Sequence, residues 1–85
     1  MDRLTWNCIE ELLEELIRGQ KLNVAKSGQR IIPHLTEDDL LQPNDFPELE
    51  NHAEFRYEEG MLAGMQSAQM ALRAMKQALE QVSIS

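Results

Sequence analysis

The sequence predicts an all-α fold: a long helical hairpin with a structured connection, paired with a second copy in a four-helix arrangement. Three observations lead there. Two long stretches carry apolar residues at helical spacing, Pro33, Pro43 and Pro47 fence the connection between them, and 85 residues form a single small domain with no evident staple.

The first stretch, from about Leu4 to Ile32, reads as an amphipathic helix. At 100° per residue, Trp6, Ile9, Leu12, Leu13, Leu16, Ile17, Val24 and Ile31 fall in an arc about 140° wide, opposite Glu10, Glu11, Glu14, Glu15, Arg18 and Lys21. Gln20 and Ser27 sit inside the apolar arc. Gly19 and Gly28 each weaken a helix by about 1 kcal/mol relative to Ala, so a kink or break between Arg18 and Gly28 is an open alternative.

Pro33 ends this helix, because it cannot donate its N–H and disfavours helical backbone in the residue before it. In the connection, about 33–50, Thr36 followed by Glu37, Asp38 and Asp39 is the pattern of an N-cap with acids in the first turn, opening a short helix near 37–41. Pro43 and Pro47 enclose Asn44, Asp45 and Phe46 as a rigid turn. Asn51 with Glu54 makes a second capping pair, or a helix begins at Pro47.

From about 51 to 82 the pattern is the longest in the chain. Met61, Met65, Ala68, Leu72, Met75, Leu79 and Val82 step by four and three residues, forming a seam of mostly large side chains. Beside it, Gly60, Gly64, Ser67, Ala71, Ala74 and Ala78 form a seam of small ones that lets another helix axis approach closely. Together the seams cover about half the circumference, more than one neighbour needs, so they are the expected oligomer interface. Tyr57 projects into this arc, whereas Phe55, Met70 and Leu62 project away, Phe55 toward the connection.

Composition narrows the classes. One cysteine, Cys8, excludes an internal disulfide, which leaves oligomerisation as the ordinary staple; a lone thiol and the lack of a basic, then apolar, leader point to the cytoplasm. The net charge is −7, and residues 33–59 hold nine acids against Arg56 alone. That acidic middle would repel a phosphate backbone, so nucleic acid is disfavoured and a basic protein partner fits better. Asp38, Asp39, Asp45 and Glu48 are the candidate docking residues. No apolar run is long enough for a membrane span.

Catalytic and metal patterns are weak. The positions three before His34 and His52 hold Ile31 and Leu49, so the Glu-x-x-His pair of di-metal bundles is missing. The acids of the connection, with His52, could be drawn as an oxygen-rich cation site, but the order of a calcium loop is absent. Cys8 has no basic neighbour in sequence, and all four glycines lie within helical patterns, where no phosphate loop forms. No catalytic residue, metal ligand or cofactor is assigned.

The hairpin plan resembles that of small RNA-binding hairpin dimers of the Rop type in architecture alone, with no motif matched residue by residue, and fold does not fix function. The expected function is that of a non-catalytic interaction module, adaptor or small chaperone. The alternatives are a small enzyme or divalent-cation protein using the acidic connection, and a Rop-like nucleic-acid-binding hairpin.

Overall fold

The computed structural model describes residues 5–84, with side chains as far as 81. In it, α1 (Trp6–Ile31) and α4 (Ala53–Ile84) pack side by side as an antiparallel hairpin. The connection contains α2 (Glu37–Leu40), a 3₁₀ turn (Pro43–Asp45) and α3 (Pro47–Glu50). Leu4 and the side chain of Val82, both named in the helical patterns, lie outside the described residues.

Thr5 caps α1, its Oγ1 accepting the Cys8 N–H at 3.2 Å. The helix then runs 26 residues without the break that Gly19 and Gly28 allowed. Packing explains the tolerance at Gly28. A Cβ there would stand 2.7 Å from Leu35 Cδ2 and 3.3 Å from both Leu40 and Phe55, so the missing side chain makes room for the connection to fold against α1. The Ile32 N–H closes the helix on the Gly28 carbonyl at 2.8 Å, and Pro33 stops it.

The Thr36 box forms as the sequence suggests: the Asp39 N–H donates to Thr36 Oγ1 at 3.2 Å, and the Thr36 N–H to the Asp39 carboxylate at 3.0 Å. Pro47 opens α3, so the start at Pro47 is real but belongs to a separate short helix. The expected Asn51–Glu54 cap is corrected. Asn51 turns back and donates its amide to the Pro47 carbonyl at 3.1 Å, while His52 Nδ1 accepts the Phe55 N–H at 3.4 Å. The chain must turn between α3 and α4, which places His52 rather than Asn51 before the first turn of α4.

The core gathers at the turn end. Val24, Leu35, Leu49 and Phe55 are buried together, with Ile31, Ile32, Leu40, Phe46 and Leu62 against them. Phe55 is fully buried and Tyr57 is 66% exposed, so the residue that projects from the apolar arc is the one the connection covers. The two polar residues in the apolar arc of α1 are also inside: Ser27 is buried, and Gln20, 3% exposed, donates to the Glu58 carbonyl at 2.9 Å and to the Glu58 carboxylate at 2.6 Å. Its own carbonyl accepts from Asn23 at 3.1 Å. These bonds satisfy a side chain that would otherwise be costly to bury.

Candidate protein-interaction site

Helical rotation divides α4 into two stripes. Phe55, Leu62, Met65, Gln69, Leu72 and Lys76 are buried or half-buried on the side of α1. Gln69 is therefore on the α1 side, although it belongs to neither seam of the sequence pattern. The other stripe, Tyr57, Met61, Gly64, Ala68, Ala71, Met75 and Leu79, is exposed from residue 57 to residue 79 and centres about 105° away. Of the expected interface residues, Met65 and Leu72 thus turn toward α1. The rest, Gly60, Met61, Gly64, Ser67, Ala68, Ala71, Ala74, Met75, Ala78 and Leu79, are exposed in the hairpin.

Ion pairs identify the two flanks of the hairpin. Glu10 reaches Lys76 at 3.6 Å and Glu14 reaches Arg73 at 3.9 Å on one flank; Arg30 reaches Glu54 at 3.2 Å on the other. As surface pairs they add little stability. They do fix orientation. Leu12 precedes Arg30, and Leu72 follows Glu54, by about five full turns, so each shares the angular position of its charged helix-mate. Leu12 and Leu16, both exposed, therefore share a flank with Met61, Met75 and Leu79. One continuous apolar face results, built from both long helices.

The opposite flank carries a groove of about 840 Å³ between α1, α4 and the connection. Leu22, Leu40, Leu41 and Leu62 line it, with Arg18 and Lys21 on one wall and Glu37 and Asp38 on the other. Leu41 is 80% exposed at its lip. Asp38 borders the groove, Asp39 is engaged in the cap of α2, and Asp45 and Glu48 stand exposed farther along the connection. Sequence reasoning missed the groove and its Leu22 and Leu41. A leucine opposite the apolar arc of α1 and another next to a short acidic helix were the available signals.

Among the described residues, no three of His, Cys, Asp and Glu gather closely enough to hold a metal ion, and no helix is long and apolar enough to cross a membrane. Comparison with family models, curated proteins and solved structures finds no match to this chain.

Proposed function

We propose that this protein is a non-catalytic interaction module that works as a helical homodimer, with the acidic connection of each copy available to a basic partner. The observation that carries the reading is the apolar face spanning Leu12, Leu16, Met61, Met75 and Leu79, which α1 and α4 leave uncovered. Large contiguous apolar surface on a small polar-rimmed helical chain marks a protein interface.

Area supports the same reading. The chain exposes 6535 Å², where a globular monomer of 9.8 kDa exposes about 5,200 Å². The excess is greater than the roughly 800 Å² that each partner contributes to a standard interface. The buried core also stops short: the buried residues of α1 begin at Ile17, so the open half of the hairpin has no buried residue of its own on that helix. A second copy against the apolar face supplies the missing cover.

Light scattering across micromolar concentrations tests the assembly. The expected result is a species of twice 9.8 kDa that Met75→Arg converts to monomer. A well-folded wild-type monomer independent of concentration would overturn the proposal.

A further inference from the structure

Resting on the dimer reading above, we infer that the second copy runs antiparallel to the first and that the two α4 helices cross at Ala68. Ala68 lies at the middle of the 32-residue helix. Along the outward stripe, the large residues Tyr57 and Met61 come first and Met75 and Leu79 last, with Gly64, Ala68 and Ala71 between them. Crossed helices approach most closely at one point and diverge on either side. Small residues at the crossing permit close approach, and large ones fill the widening gap at both ends. A two-fold axis beside Ala68 pairs residue i with residue j and j with i, so Tyr57 and Met61 of one copy come opposite Leu79 and Met75 of the other at both ends.

The glycine fits that place. A Cβ on Gly64 would meet nothing within 4 Å in the single hairpin, so its smallness serves no contact between α1 and α4. The ion pairs that mark the register of the antiparallel helices, Glu14 with Arg73 and Arg30 with Glu54, put Leu16 roughly level with Ala68 and Leu12 one turn farther on. The apolar contribution of α1 therefore also falls beside the centre of α4, while the same flank nearer the turn carries Asn23, Lys26 and Arg30.

Charge chooses the direction. Residues 33–59 carry nine acids against one base, and the connection lies at one end of a molecule 52 Å long. A parallel dimer sets two such regions side by side, where like charges repel. An antiparallel dimer separates them by nearly the length of the molecule, several times the Debye length of about 8 Å in physiological salt. The α4 helix dipoles also oppose one another in that arrangement.

Two measurements in a Cys8→Ser background test the geometry. Ala68→Cys should give a disulfide-linked dimer on mild oxidation, whereas Ala63→Cys, on the groove flank, should remain monomeric on a denaturing gel. Nitroxides on Glu48→Cys, which is exposed in the connection, should report an inter-copy distance approaching the 52 Å long axis. A dimer with a Glu48 distance well under half that length overturns the antiparallel inference and leaves the dimer standing. A dimer that links through Ala63 and not Ala68 overturns the crossing point, and a concentration-independent monomer by light scattering removes both the inference and the reading beneath it.

Discussion

Leu35 occupies the space that a side chain on Gly28 would need, its Cδ2 lying 2.7 Å from the position of that Cβ. Leu35 is buried, and Leu40 and Phe55 close the other sides at 3.3 Å, so it has little room to give way. The connection and α1 are fitted to one another at a single glycine.

Gly28→Ala should consequently lose stability, because overpacking costs about 1–3 kcal/mol against a gain in helix propensity of about 1 kcal/mol. Gly19→Ala has the same intrinsic gain and meets nothing within 4 Å, so it should stabilise by about 0.5–1 kcal/mol. Urea denaturation of the pair checks the contrast. Equal shifts in the two variants would mean that Leu35 does not pack against α1 as described.

Phe55→Ala should cost about 3–5 kcal/mol, the usual range for removing a buried aromatic side chain. Met70→Ala, 65% exposed and outside both stripes of α4, should stay within about 0.5 kcal/mol of wild type. Thermal melts distinguish this from the reverse order, which would follow if the connection did not cover Phe55.

Gln20→Leu keeps the volume roughly constant and removes the donor to the Glu58 carbonyl and carboxylate, both within 3.0 Å. The expected loss is about 1–2 kcal/mol, that of leaving half-buried acceptors without their partner. In a double-mutant cycle, Glu58→Ala should recover part of it. Strict additivity of the two changes would show that the bond contributes nothing.

Neutralising Asp38, Asp45 and Glu48 together to Asn or Gln should stabilise the fold by a few tenths of a kcal/mol at low ionic strength, with the gain disappearing in high salt. Adding Asp39→Asn should reverse the gain by about 1 kcal/mol, because that carboxylate accepts the Thr36 N–H in the α2 cap. If the connection docks a basic partner, the triple variant should also lose most of the salt-sensitive binding to a lysine-rich amphipathic peptide titrated by calorimetry. Unchanged binding would confine these acids to solvation and capping.

Gly64→Leu and Met70→Leu separate the assembly from the hairpin, since a Cβ at Gly64 is free of contacts in the single chain and Met70 is 65% exposed outside both stripes of α4. On the proposed crossing, Gly64→Leu should raise the dimer dissociation constant at least tenfold, corresponding to about 1.4 kcal/mol, while Met70→Leu leaves it within twofold. Sedimentation equilibrium reads both.

The sequence by itself determined the two long helices, the proline-bounded connection and the Thr36 box, because helical period, missing proline donors and side-chain caps act over a few neighbouring residues. It also determined that α4 carries more apolar circumference than one helix can cover. Only the tertiary structure decided which part of that circumference meets α1. Phe55 and Gln20 look misplaced when each helix is taken alone, yet Phe55 meets Leu35 and Leu49 of the connection, and Gln20 meets Glu58 across the hairpin. Rotation of one helix about its axis relative to another depends on contacts between residues far apart in sequence. The apolar period of a single helix does not encode that angle, and so the outward face and the groove became visible only after α1, α4 and the connection were packed together.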